Sequence, residues 1–239
     1  GFHGKSLEDI HEAINFPDGM ILTTGPTGSG KTTTLYTVLD ILNTPDVNIS
    51  TVEDPVEYQV KRINQTQIRS DIGFTFANGL RSLLRQDPDV IMVGEMRSPE
   101  TISAAVTAAE TGHFVISTLH TNNASQTIDR IIDTFPAGQQ DQIRNQLANS
   151  LIGIFSQRLI PRVSGGLVPA YELLINTKAS ANLIREGRTN EIDIVIETGS
   201  EHGMIDMNNS LVDLVRKGEI SVDDARRFSL NPKAFDNLL

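Results

Sequence analysis

The sequence predicts an α/β fold in which a parallel sheet is flanked by helices. Three observations carry this expectation. Short apolar runs at residues 20–22, 48–52, 90–93 and 113–119 alternate with segments of helical spacing. The run 90–93, Val-Ile-Met-Val, is continuously apolar, as befits a central parallel strand. The first run opens straight into a glycine-rich turn and then a helical pattern, a strand–loop–helix unit. In such a sheet the active groups gather beyond the carboxyl ends of the strands.

Taken in order, Ser6 caps a short helix over Leu7, Ile10, Ala13 and Ile14, and Pro17-Asp18-Gly19 turns the chain into the first strand. The strand 48–52 ends in Glu53-Asp54-Pro55-Val56-Glu57, and a proline after Asp54 suits a strand that has finished. Residues 58–75 are polar and weakly patterned, an excursion of short strands. Helical spacing returns at 76–84 through Leu80, Leu83 and Leu84 and breaks at Asp87-Pro88-Asp89. The alanine-rich helix 99–110 has Pro99 in its first turn. The strand 113–119 runs into His120-Thr121-Asn122-Asn123, and a helix follows over 123–133. Ile143, Leu147, Leu151 and Ile154 predict a long helix over 139–159. A strand at 167–174 is entered through Ser164-Gly165-Gly166, and the remainder reads as short helices divided by Gly187, Gly199 and Gly218. We therefore expect an amino-terminal remnant or linker at 1–18, a core at 19–176 and a helical carboxyl-terminal region at 177–239.

At 239 residues the chain is long enough to bury a sizeable core. It has no cysteine, which excludes disulfides, thiolate catalysis and cysteine-ligated zinc and suits a reducing cytoplasm. With 30 acidic against 20 basic residues the net charge is −10 and no basic run occurs, so a nucleic-acid partner is disfavoured. No apolar run approaches the roughly 20 residues of a membrane span, and the amino terminus does not read as a signal peptide.

The chemistry starts at Gly25-Pro26-Thr27-Gly28-Ser29-Gly30-Lys31-Thr32, which is G-x-x-x-x-G-K-[ST] between a strand and a helix. The glycines let successive N–H groups turn inward around phosphate oxygens, and the helix that opens there adds its positive end. Lys31 would reach the β- and γ-phosphates, the Thr32 hydroxyl would ligate Mg²⁺, and Thr33 adjoins them. The expected ligand is a nucleoside triphosphate. Glu95 closes an apolar strand where a Mg²⁺- or water-orienting acid belongs, and Glu53 is a second candidate as water-activating base or Mg²⁺-shell partner; which of them is the base stays open. His113 and His120 flank one strand at opposite ends and, seven apart, point to opposite faces. His120 is the better γ-phosphate sensor, while His113 is either a structural histidine or a site at a subunit boundary. Arg81, Arg85, Arg97 and Arg130 are candidates for charge compensation, in cis or across an interface.

These residues together resemble the RecA-like motor domain of the secretion ATPase superfamily, the hexameric ATPases of type IV pili and type II secretion. Four motifs match in order: the Walker A loop at 25–32, the aspartate box Thr51-Val52-Glu53-Asp54-Pro55-Val56-Glu57, the atypical Walker B at 89–97 with Gly94-Glu95, and the histidine box from Thr111-Gly112-His113 to Leu119-His120-Thr121. The resemblance covers essentially the whole chain. It implies ATP and Mg²⁺, a homohexamer, and a cytoplasmic position beneath an inner-membrane platform protein.

Within the superfamily, assembly and secretion members insert a tetracysteine zinc subdomain after the Gln-Arg-Leu segment. Here Gln157-Arg158-Leu159-Ile160-Pro161-Arg162 passes at once into Val163-Ser164-Gly165-Gly166, so no zinc is expected. The stretch Ala179-Ser180-Ala181-Asn182-Leu183-Ile184-Arg185-Glu186 is similar to the A-I-R-N-L-I-R-E signature of the retraction (PilT-like) members and departs from it at Ser180 and Ala181. The resemblance thus implies a motor for pilus retraction and twitching motility, with pilus assembly or type II secretion as the alternative. Full-length members also carry an amino-terminal PAS-like domain, of which this chain, starting at Gly1, is expected to retain almost none. The chain is therefore expected to be a fragment that binds nucleotide but turns over poorly and assembles weakly. Two other classes compete: a regulatory module that holds nucleotide without significant turnover, and a DNA-translocating motor, which the net charge opposes.

Overall fold

The computed structural model describes Ile14 and residues 16–239. The helix expected over residues 6–14 lies outside the described residues except for Ile14, which is helical and buried. Seven strands form one sheet: β1 (Gly19–Thr24), β2 (Ile49–Glu53), β3 (Ile63–Gln67), β4 (Val90–Val93), β5 (Phe114–Leu119), β6 (Leu151–Pro161) and β7 (Leu167–Ile175). Their order across the sheet is β3-β2-β4-β5-β1-β6-β7. All neighbouring pairs are parallel except β6–β7, an antiparallel hairpin.

Parallel neighbours need crossovers; a non-helical loop over 54–62 joins β2 to β3, and the others run through α1 (Lys31–Leu42), α2 (Phe76–Leu83), α3 (Pro99–Glu110), α4 (Ala124–Asp133) and α5 (Ala137–Ser150). Alternation along the strands divides the apolar side chains between two layers. Ile91, Val93 and Val115 pack beneath α2 to α5, while Val90, Met92, Phe114 and Ile116 pack on the other face against Leu35, Val38 and Leu39 of α1. Both faces of the sheet are therefore covered, which is why the strands read as continuous apolar runs. The local start signals are also in place: Thr75, Ser98 and Asn123 cap α2, α3 and α4 through their side chains, and Pro99 opens α3.

The long helix expected over 139–159 is corrected. The helix ends at Ser150 and the chain enters β6 with no intervening loop. Ile143 and Leu147 do line a helix, but Leu151 and Ile154 belong to a strand buried on both faces between β1 and β7. Gly153 permits that close approach, since a Cβ there would stand 2.7 Å from the Leu174 carbonyl oxygen. The excursion at 58–75 contains β3, one 3₁₀ turn (Ser70–Ile72) and an isolated bridge between Arg69 and Phe74.

Beyond β7 come α6 (Lys178–Glu186), α7 (Ile192–Thr198), α8 (Met207–Arg216), α9 (Val222–Phe228) and α10 (Pro232–Leu238). Ile184, Ile192 and Ile196 join the main core, whereas Met207, Leu211, Ala225 and Phe235 form a separate cluster on Ile160, Val168 and Ala170 of the hairpin. Among the described residues no helix is long and apolar enough to cross a membrane.

Candidate active site

The strand order explains the site. β1, β5, β4 and β2 lie side by side, and parallel pairing aligns their carboxyl ends: Thr24 is level with Leu119, Val93 with Ser117, and Val52 with Val93. The glycine loop, His120, Glu95 and Glu53 leave those ends in turn. They meet on one cleft of about 500 Å³.

The loop is shaped by two glycines in left-handed conformation, Gly28 and Gly30 (φ +79° and +89°), and by Gly25 at φ +143°. A Cβ on Gly25 would lie 2.4 Å from the Gln157 carbonyl oxygen and 2.6 Å from Ser29 Oγ, so no side chain fits. Gly30 is the N-cap of α1 and offers no side-chain acceptor. The first N–H groups of α1 thus have neither an intrahelical nor a capping partner, an arrangement that favours an anion. Ser29 Oγ is buried without a partner.

Gln157 braces the loop from β6. Its Nε2 donates to the Ser29 carbonyl (2.6 Å), and its Oε1 accepts from Thr34 Oγ1 (2.7 Å). Sequence reasoning placed Gln157 on a helix and missed this role; the available signal was its place in the Gln-Arg-Leu segment.

Lys31 is buried, and its Nζ donates to the carbonyls of Gly25 (2.7 Å) and Pro26 (3.0 Å). Burial lowers its pKa, and the charge of Glu95 works against that shift. Lys31 Nζ also stands 3.5 Å from His120 Nδ1. The ammonium is therefore held by the loop's own carbonyls, at the mouth it would use for phosphate. Thr32 and Thr33 are exposed and line the same cleft, as do Thr27 and Gly28; Pro26 is exposed beside them.

The two carboxylates are held differently. Glu53 is buried, and its oxygens accept from three side chains: Tyr36 Oη on Oε2, and Thr51 Oγ1 (2.5 Å) and Gln65 Nε2 (3.2 Å) on Oε1. Three donors offset the cost of burying it. Tyr36 and Gln65 carry no role in the sequence analysis, because their spacing from Glu53 follows no local pattern, whereas Thr51 is two residues back on the same strand face and opens the aspartate box. Glu95 is half-buried at the mouth, where Oε2 pairs with Arg97 Nη2 (2.6 Å) and Oε1 lies 3.4 Å from His120 Nε2. That pairing raises the pKa of Arg97, through its hydrogen bond to Glu95 first. Thr118 Oγ1 donates to the Gly94 carbonyl (2.6 Å) and Ser117 Oγ to that of Val93 (2.7 Å), which locks the ends of β4 and β5 together.

Of the four arginines singled out, Arg97 alone lines the cleft; Arg81, Arg85 and Arg130 are exposed and lie away from it. His113 is outside as well, with Nδ1 3.0 Å from the Ala108 carbonyl at the end of α3. His120 is in the cleft, so the two histidines are separated as strand geometry requires.

The residues fit a nucleotide with Mg²⁺. The loop cradles only if Gly25 has no Cβ, the first N–H groups of α1 lack a cap, and Thr32, Glu53 and Glu95 line the same cleft. Among the described residues no group of three or more His, Cys, Asp or Glu is placed to hold a metal ion. Mg²⁺ commonly takes only one or two protein ligands and completes its shell with phosphate oxygens and water.

With the geometry in place, residues 1–229 match the family model described as "Type II/IV secretion system protein". The chain belongs to that family. It is 49% identical over 241 residues to the "Twitching motility protein" of Neisseria gonorrhoeae, covering 96% of this chain and 64% of that protein. It is 47% identical over 233 residues to the "Type IV pilus retractation ATPase PilT" of Pseudomonas aeruginosa, covering 95% and 67%. The fold superposes on the crystal structure of the "Pilus Retraction Motor PilT and Bound ADP" with a TM-score of 0.88 at 45% identity, covering 96% of this chain and 66% of that one. The chain spans about two thirds of the length of these relatives.

Proposed function

We propose that the protein containing this chain is an ATP-hydrolysing motor that powers type IV pilus retraction. One observation carries the reading: the glycine loop, Glu53, Glu95 and His120 converge on a single cleft from four adjacent strand ends. Similarity over nearly the whole chain to two proteins named for twitching and pilus retraction supports the choice of process. The ADP in the similar PilT crystal structure supports the choice of ligand.

In this reading the N–H groups of 27–32 hold the phosphates, and Lys31 gives up its carbonyl partners for the β- and γ-phosphoryl oxygens. The Thr32 hydroxyl would hold Mg²⁺, with Glu95 as a partner through water, and the bound ion would supply neutralisation of phosphate charge. Glu53 accepts the proton of the attacking water, while His120 senses the γ-phosphate beside Glu95. Arg97 leaves Glu95 to meet developing charge. The remaining arginines and His113 are left for a neighbouring subunit of a hexameric ring. Work is delivered to a membrane-embedded platform protein from the cytoplasmic side. The core at 19–176 carries the chemistry, and the helical region from 177 packs against it through Ile184, Ile192 and Ile196.

The test is deletion of the full-length gene, with surface pili imaged and twitching scored. Abundant pili without motility are expected. Bare cells would assign assembly, and normal pili with a lost secreted protein would assign secretion.

A further inference from the structure

The carboxylate of Glu53 is aimed by residues from two other elements. Tyr36 lies on α1, five positions after Lys31, and is buried. Its hydroxyl donates to Glu53 Oε2. Burial first, and this hydrogen bond next, raise the phenol's pKa, so Tyr36 stays protonated and remains a donor. From β3, Gln65 closes the other side. Its Oε1 accepts from the Val60 N–H (2.7 Å), which fixes the amide so that Nε2 faces Glu53 Oε1 (3.2 Å) and the Tyr58 carbonyl (3.1 Å). The rings of Tyr36 and Tyr58 meet with centroids 4.2 Å apart. Thr51, on the strand of Glu53 itself, donates to Oε1 at 2.5 Å. A carboxylate offers about four lone-pair sites. Oε1 has two donors and Oε2 has one, so Oε2 keeps a lone pair for a further partner in the cleft.

We propose that Tyr36 is a positioning residue for hydrolysis: with Gln65 it clamps the Glu53 carboxylate so that the free lone pair of Oε2 faces the attacking water. The helix that begins at Lys31 would then set both the phosphate contact and the aim of the base. This rests on the reading of Glu53 as the group that activates water. A tyrosine that merely fills core volume would make the same tilted ring contact but would not be coupled to Glu53.

The experiment is steady-state ATP hydrolysis and equilibrium binding of a non-hydrolysable ATP analogue, using the full-length protein with Tyr36→Phe, Glu53→Gln and both. Phenylalanine keeps the ring contact and removes the hydroxyl, which donates to Glu53 and accepts from Gln65 Nε2 (3.3 Å). The expected result is a fall in kcat of about tenfold for Tyr36→Phe, with KM and analogue affinity within about twofold. In the Glu53→Gln background Tyr36→Phe should add no further loss. A wild-type kcat for Tyr36→Phe beside an impaired Glu53→Gln overturns the proposal and leaves the role of Glu53 intact. Independent, multiplying losses also overturn it. A wild-type kcat for Glu53→Gln removes the reading of Glu53 and this proposal with it. Gln65→Ala, on an edge strand, provides a second test if Tyr36→Phe does not fold: a smaller loss in kcat at unchanged KM supports the clamp, and an unchanged kcat rejects it.

Discussion

The guanidinium of Arg97 stands 2.6 Å from Glu95 Oε2, in a pair whose arginine is 75% exposed and whose carboxylate is 18% exposed. The pair holds Glu95 at the cleft mouth from the solvent side, while His120 approaches its other oxygen. An exposed pair of this kind contributes under about 1 kcal/mol to stability. Arg97→Ala should therefore leave the melting temperature within a few degrees of wild type and lower the rate of ATP hydrolysis. A large loss of thermal stability would show that the pair is structural.

Glu95→Gln keeps the shape and removes the charge. Nucleotide binding should persist while phosphate release falls by about 10–100-fold, because the acid that would orient the water shell of Mg²⁺ loses its charge. Parallel binding and single-turnover measurements check this, and full turnover in the variant would rule Glu95 out of the reaction.

Lys31→Ala should weaken ATP binding by about a hundredfold, because a charge-assisted contact to phosphate is lost from a buried position. Stability in the absence of nucleotide should change little or rise, since burial already works against the ammonium. Titration calorimetry and thermal melts separate the two effects.

Gly25→Ala and Gly28→Ala should differ sharply. At Gly25 the new methyl meets backbone at 2.4 Å, whereas at Gly28 nothing lies within 4 Å and only the positive φ is strained. Gly28→Ala should cost about 1 kcal/mol. Gly25→Ala should cost several-fold more and abolish nucleotide binding; equal unfolding free energies for the two variants would contradict the geometry.

Glu172 on β7 accepts from the Ala124 N–H at the start of α4 (2.7 Å), and burial pushes its pKa up to about 7. The raised value means that the fold prefers the protonated form. Its contribution is full below the ordinary value of 4.5 and is lost as pH rises through about 7. Glu172→Gln keeps an acceptor for Ala124 and has no proton to lose. Between pH 5 and pH 8 the wild type should lose roughly 2–3 kcal/mol relative to this variant. Denaturant unfolding at the two pH values measures the difference.

Much of this was legible in the sequence because the signals are local. Residues 90–93 are apolar at every position, Pro99 starts a helix, and the spacing from Gly25 to Thr32 specifies a phosphate loop without reference to any distant residue. The misreading at 151–159 has an equally local origin. Leu151 and Ile154 continue the helical spacing of Ile143 and Leu147, and a short apolar run looks the same to a 3.6-residue period whether it is buried as helix or as strand.

By itself the sequence determined the parallel α/β core, the phosphate loop and the three motif residues Glu53, Glu95 and His120, since each follows from a strand end or a glycine spacing written within a few neighbours. Only the tertiary structure decided what surrounds them. Gln157 reaches Ser29 across 128 positions, Gln65 and Tyr36 approach Glu53 from an edge strand and a helix, and Arg97 rather than Arg81, Arg85 or Arg130 enters the cleft. Those partnerships depend on which strands lie side by side. That order is set by packing two apolar layers against one sheet, a global condition that no short window of sequence contains.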